Sequence, residues 1–177
     1  VRVGDGATFL AEVELTGDAD EGDKSAPLAL AIVLDHSGSM QGIKIEEAKR
    51  AVARFVTGLR DDTFVSFTIY NDGAERVLPL VKVSEYRQLL LDRARSLSAD
   101  GGTNIPAGLS MGMESLNEAP RNYVRRVVLF SDGLDTSGTP LSNVVSQVRR
   151  GAEGGITVSA LGIGTDYDPR FMSAVAE

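Results

Sequence analysis

Three short polar clusters carry the side chains with which this sequence can do chemistry. They are Asp35-His36-Ser37-Gly38-Ser39, Asp100-Gly101-Gly102-Thr103-Asn104 and Ser131-Asp132-Gly133. Carboxylates and hydroxyls form an all-oxygen set, which suits a hard divalent cation such as Mg²⁺ or Mn²⁺. We therefore predict a metal site whose ligands, direct or through water, are Asp35, Ser37, Ser39, Thr103 and Asp132.

The charge of this predicted ligand set leaves room for a ligand from another molecule. Asp35 and Asp132 together match only the double charge of the ion, and five oxygens leave one position of an octahedral shell open. A carboxylate from a protein partner would be a natural sixth ligand. At ~4 Å and an effective dielectric near 20, one such charge pair contributes about 4 kcal/mol before desolvation.

Strands and helices alternate along the chain, and this order positions the three clusters. Apolar runs predict buried strands at 28–34, 64–70, 126–130 and 156–161. Apolar residues at helical spacing predict helices at 45–59, 84–97, 105–116 and 141–148, and a further helix from Pro169. We expect Ser84 to cap the second helix and Gly151 to end the fourth. The segment 75–81 contains Pro79, which predicts an antiparallel edge strand. We predict an α/β, doubly wound, Rossmann-like and mainly parallel sheet with helices on both faces and one antiparallel edge strand. Ligands bind at the carboxyl ends of such strands, and the three clusters fall at these ends or, for the second, in a loop that precedes a helix.

The first 26 residues have a different character from the rest of the chain. Residues 7–15 alternate like a half-buried strand, and residues 18–24 form an acidic linker. We expect residues 27–177 to form the domain, while the strand in 1–26 either pairs with its sheet or belongs to a neighbouring β domain. The chain starts at Val1 and stops inside its last predicted helix, so we expect a piece of a longer protein, truncated at the C-terminus.

The composition excludes several classes of function. The 177 residues include 18 Lys and Arg and 25 Asp and Glu, and the resulting net charge of -7 argues against a nucleic-acid partner. The absence of Cys and the presence of a single His exclude disulfides, thiolate metal sites and a catalytic triad. No apolar run approaches ~18 residues, so we expect a soluble domain without direct membrane insertion. Its compartment (secreted, cell-surface or cytoplasmic) is left open.

The three clusters resemble the metal-ion-dependent adhesion site of von Willebrand factor type A domains. That pattern is Asp-x-Ser-x-Ser, a distant Thr and a later Asp, and it matches here at all five positions predicted as ligands. The resemblance covers about residues 28–177 and is nearest to bacterial-type and inter-alpha-trypsin inhibitor heavy-chain domains. It implies a strand order of 3-2-1-4-5-6 with the third strand antiparallel. It also implies an adhesion or assembly module in which Mg²⁺, or else Mn²⁺ or Ca²⁺, ligates an Asp or Glu of a protein partner.

Two other functions stay open. A metal-assisted phosphohydrolase with an aspartyl nucleophile at Asp35 would want an acid/base carboxylate two residues later, where Ser37 stands. We therefore expect no enzymatic activity. The second alternative is a scaffold that assembles without metal.

The clusters also admit a purely structural interpretation. In it Ser37, Ser39 and Thr103 only cap helices, while Asp35 and Asp132 accept loop amides. His36 is either a partner-contacting group or merely the variable position of the pattern. Asp100 and Asp135 either orient the ligands or are solvated loop acids.

Overall fold

A five-stranded sheet forms the centre of the molecule. The computed structural model describes residues 26–165 and 167–176, so the predicted strand at 7–15 and the linker at 18–24 lie outside the described residues. The strands are β1 (Leu28–Asp35), β2 (Phe64–Tyr70), β3 (Ala74–Lys82), β4 (Val124–Ser131) and β5 (Ile156–Gly162). The helices are α1 (Ile43–Gly58), α2 (Val83–Arg95), α3 (Ile105–Leu116), α4 (Leu141–Glu153) and α5 (Pro169–Val175), with a short 3₁₀ helix at Gly38–Met40.

The strand order is β3-β2-β1-β4-β5, which makes β1 the central strand. Strands β2, β1, β4 and β5 pair in parallel, and β3 runs antiparallel to β2. The register of β3 shifts between the pairs Phe67–Leu78 and Val65–Val81, and Pro79 falls in that bulge, where no ladder bond is needed. The predicted antiparallel edge strand and mainly parallel sheet are therefore confirmed.

Helices cover both faces of the sheet, as predicted. Alternate side chains of β1 point to opposite faces, so Leu30, Ile32 and Leu34 join the core beneath α1 and α2. Ala29, Ala31 and Val33 join the second core, beneath α3, α4 and α5. All six are fully buried, which explains why the β1 sequence is apolar without interruption. None of the described helices has the length and apolar character needed to cross a membrane.

Two predicted helix ends are wrong. Ser84 is not a cap, since α2 begins at Val83 and no side chain caps it. The backbone amides of Val83 and Ser84 instead donate to the carbonyls of Thr63 and Asp61, so the loop between α1 and β2 replaces a side-chain cap. Helix α4 also continues through Gly151 to Glu153.

Glycines allow two of the helices to approach their neighbours closely. A Cβ on Gly151 would lie 3.0 Å from the Met113 sulfur, so this glycine serves the packing of α4 on α3 and does not end the helix. A Cβ on Gly108 would lie 2.6 Å from the Tyr70 ring, and one on Gly112 would lie 2.5 Å from Cγ2 of Val33. Helix α3 therefore packs on β1 and β2 at a distance that only glycine permits. This contact fixes the position of the loop that precedes α3 relative to the sheet.

We expect Gly112→Ala to lower the free energy of unfolding by about 1–3 kcal/mol, because the added methyl overlaps a buried, β-branched side chain. Gly58→Ala is the matched control, since nothing lies within 4 Å of the place its methyl would take and its φ is not positive. That variant should be neutral or slightly stabilising. Urea unfolding of both proteins measures the difference, and equal stabilities would contradict the close packing of α3.

Candidate metal centre

The parallel pairing of β1 and β4 brings the first and third polar clusters to one edge of the sheet. Leu34 pairs with Phe130, so Asp35, the last residue of β1, and Asp132, which follows β4, lie at the carboxyl ends of neighbouring strands. Both carboxylates are fully buried. Burial of a charge is costly unless donors or counter-charges surround it, so the contacts of these two side chains define what the site can do.

Asp35 is held by three hydrogen bonds. Its Oδ1 accepts from the backbone N–H of Ser37 at 2.9 Å. Its Oδ2 accepts from the hydroxyl of Ser131 at 2.8 Å and from the phenol of Tyr70 at 3.1 Å. Burial raises the pKa of Asp35 above its usual range, the Ser37 and Ser131 bonds lower it, and the nearby Asp132 charge raises it again. Burial and the Asp35 charge also raise the pKa of Tyr70, so the phenol keeps its proton and donates it.

The hydroxyls of Ser37 and Ser39 lie 3.1 Å apart, so they face the same small volume. Ser37 is buried just before the 3₁₀ helix, and Ser39 is exposed in the middle of it. The loop that carries them is joined to the second cluster by two backbone bonds, from Gly38 to the Gly101 carbonyl at 2.9 Å and from Asp100 to the His36 carbonyl at 2.8 Å. The first two clusters are therefore one connected unit.

Thr103 joins the second cluster to the loop that follows the third. Its amide donates to the hydroxyl of Thr136 at 2.8 Å, and the Thr136 amide donates to the Thr103 carbonyl at 2.8 Å. Gly101 has a φ of +78°, and its missing side chain leaves space for the Asp72 carboxylate. The buried position of Thr103 thus depends on both flanking loops.

Asp132 uses its two oxygens differently. Oδ1 accepts from the amide of Leu134 at 3.2 Å. Oδ2 lies 3.1 Å from the ammonium nitrogen of Lys44, in the first turn of α1. Lys44 could not be predicted as a site residue from the sequence, because its partner is 88 residues away and no local pattern indicates the pair.

The structural interpretation of the clusters is right for the carboxylates and wrong for the hydroxyls. Asp35 and Asp132 each accept one loop amide. None of the three hydroxyl residues caps a described helix by its side chain: the 3₁₀ helix has no side-chain cap, α1 follows Gly42, and Asn104 caps α3. The hydroxyls therefore serve no capping role in the described part of the fold.

The other residues singled out in these loops have structural contacts. His36 is half-buried, and its Nδ1 donates to the Ser98 carbonyl at 3.1 Å. Asp135 accepts from the Ile105 amide at the start of α3 at 3.0 Å, and Asp100 accepts from the adjacent Gly101 amide. Asp135 thus positions the helix behind Thr103, whereas the carboxylate of Asp100 contacts only its own loop.

The chemistry of the candidate ligand oxygens fits a hard divalent cation. Within the described ranges, no three His, Cys, Asp or Glu side chains are grouped to hold a metal ion, so an ion here would depend on hydroxyls as well as two carboxylates. Such a mixed oxygen set is one that Mg²⁺ or Mn²⁺ accepts. The Lys44 ammonium beside Asp132 shows that this edge already attracts a positive charge.

The fold is a doubly wound α/β domain with buried carboxylates and hydroxyls at the carboxyl ends of its central strands. The chain belongs to the von Willebrand factor type A domain family, whose model matches residues 29–177. Domains of this family often mediate adhesion between proteins and generally bind protein partners.

Relatives and solved structures agree with this assignment. An uncharacterized protein of Synechocystis sp. is 29% identical, covering 93% of this chain and 39% of that protein. Human inter-alpha-trypsin inhibitor heavy chain H1 is 27% identical, covering 83% of this chain and 17% of that protein. A von Willebrand factor type A structure from Catenulispora acidiphila has a TM-score of 0.77 at 26% identity and covers 86% of this chain and 37% of that one. This chain therefore spans well under half the length of these proteins.

We expect Asp35→Asn to raise the melting temperature in EDTA at neutral pH. Burial raises the folded-state pKa of Asp35 above the ordinary value of 3.8, so ionisation of Asp35 favours the unfolded chain. An amide keeps the acceptor for Ser37 and offers a donor to a hydroxyl, without the buried charge.

The gain should be absent well below pH 3.8, where the carboxyl is protonated in both states, should grow as the pH rises from 3.8 to the folded-state pKa, and should stay constant above it. Melting of both proteins across about pH 3–8 measures it. A variant that is less stable than the parent at neutral pH would contradict the prediction.

Proposed function

We propose that this domain is a divalent-metal-dependent protein-binding module with an intact metal-ion-dependent adhesion site. Its ligands would be Asp35, Ser37, Ser39, Thr103 and Asp132, and Mg²⁺ would be the ion, with Mn²⁺ or Ca²⁺ as substitutes. A bound ion would supply an open coordination position to an Asp or Glu of a protein partner. Among family members we place the domain with the bacterial-type and inter-alpha-trypsin inhibitor heavy-chain group, because it is 29% identical to the Synechocystis sp. protein and 27% identical to human heavy chain H1.

The observation that carries the proposal is the connection between the three loops. Bonds between Gly38 and Gly101 and between Thr103 and Thr136 link the loops that carry all five oxygens. The Asp35 carboxylate is oriented by three donors from three different segments. An oriented set of ligands loses little conformational entropy on binding, which favours affinity for an ion.

The same geometry gives no support to a phosphohydrolase. An acid/base group would be needed two residues after Asp35, and that position holds the Ser37 hydroxyl, 3.1 Å from Ser39. We therefore propose a binding role without turnover. A metal-independent scaffold is distinguished by the two experiments that follow.

We expect Mg²⁺ or Mn²⁺ to raise the melting temperature of the parent protein and to leave Asp35→Asn unchanged. A ligand that binds only the folded state adds about 2.7 kcal/mol at a hundred times its Kd, or roughly 5–10 °C for a domain of this size. Glu153→Gln is the control, because this exposed acid lies just before β5, at the opposite edge of the sheet. Its response should equal that of the parent, and a metal response in Asp35→Asn would rule out this site.

We expect the metal-loaded domain to bind peptides that present a single Asp or Glu on an array, and to ignore the same peptides with Asn or Gln in that place. Binding should disappear in EDTA and in Asp35→Asn, because the bridging ion is lost. Binding that persists in EDTA would indicate the metal-independent scaffold instead.

A further inference from the structure

Lys44 places a positive charge inside the candidate metal centre. Its ammonium nitrogen lies 3.1 Å from Oδ2 of Asp132, and the exposed fraction of the side chain is 18% for Lys44 and 0% for Asp132. The other oxygen of Asp132, Oδ1, accepts from the Leu134 amide. The backbone amide and the ammonium therefore engage different oxygens of the same buried carboxylate.

We propose that Lys44 is the built-in counter-cation of the site, which a divalent ion must displace from Asp132, so that Lys44 sets the metal affinity of the domain. This inference rests on the proposed function, since it concerns the same site. Its physical basis is that two cations beside one buried carboxylate repel each other, in surroundings that screen charge poorly. Metal binding is then an exchange of one cation for another rather than the filling of a bare anionic site.

The Lys44 charge has opposite effects on the metal-free and the metal-bound protein. Without metal, Lys44 neutralises a buried carboxylate, and removal of one partner of a buried pair is strongly destabilising. With metal, the ammonium is a like charge near the ion and weakens its binding. A lysine with only a structural role would not produce this reversal, because its loss would weaken the site and the fold together.

The test is equilibrium dialysis of the metal-free protein against Mn²⁺, with Lys44→Met and Lys49→Met compared. Lys49 is a matched control on the same helix: it pairs with Glu46 at 2.8 Å and is 14% exposed. We expect Lys44→Met to bind Mn²⁺ about tenfold more tightly than the parent, and Lys49→Met to bind like the parent. Lys44→Arg keeps the charge and should also resemble the parent.

Melting in EDTA and in saturating Mn²⁺ gives the second measurement. Lys44→Met should melt lower than Lys49→Met in EDTA, and this gap should shrink when Mn²⁺ is added. Lys44→Gln keeps an N–H donor for Asp132 while removing the charge, so it serves if the methionine variant does not fold. Its Mn²⁺ affinity should also exceed that of the parent.

The two kinds of failure are distinguishable. If the parent binds Mn²⁺ through Asp35 and the neutral Lys44 variants bind equally or more weakly, the exchange is overturned while the proposed function stands. If neither the parent nor the neutral variants retain Mn²⁺, the proposed function fails and the exchange fails with it.

Discussion

The burial of two carboxylates at one edge of the sheet is the constraint on which the rest of the site depends. Asp35 and Asp132 follow neighbouring parallel strands and are both fully enclosed. Each charge must therefore be compensated by donors that the protein brings from elsewhere. Asp35 receives an amide and two hydroxyls, whereas Asp132 receives one amide and the ammonium of Lys44. The two acids thus differ: one is oriented by neutral donors and the other is neutralised by a cation.

The fold supplies these donors because several elements converge on the same edge. Helix α3 lies close to β1 and β2 through Gly108 and Gly112, and this approach fixes the loop that carries Thr103. Helix α1 begins beside the site and contributes Lys44. The arrangement is costly for stability, since desolvation raises the pKa of Asp35 despite its hydrogen bonds. Such a cost is typical of sites that are kept for binding rather than for folding.

Most of the fold could be predicted from local patterns, and the two errors at helix ends arise from contacts between residues far apart in the chain. The unbroken apolar run of β1 and the proline in β3 correctly indicated a central and an edge strand, because burial on two faces and a missing N–H leave direct traces in the sequence. The predictions of a cap at Ser84 and of a helix end at Gly151 were wrong because serine and glycine each serve several structural purposes. Backbone carbonyls from the loop between α1 and β2 replace the expected cap at Ser84, and Gly151 permits close packing instead of ending a helix.

The sequence by itself determined which oxygen-bearing side chains follow the strands and where they stand in the chain, since strand periodicity and motif spacing are local properties. Only the tertiary structure decided how the buried carboxylates are compensated. Tyr70 and Ser131, which orient Asp35, lie 35 and 96 residues away from it, and Lys44 lies 88 residues from Asp132. Contacts at such separations depend on strand order and helix packing. The reason is physical: the need for a partner is set by burial, and burial exists only once the sheet and its helices have assembled.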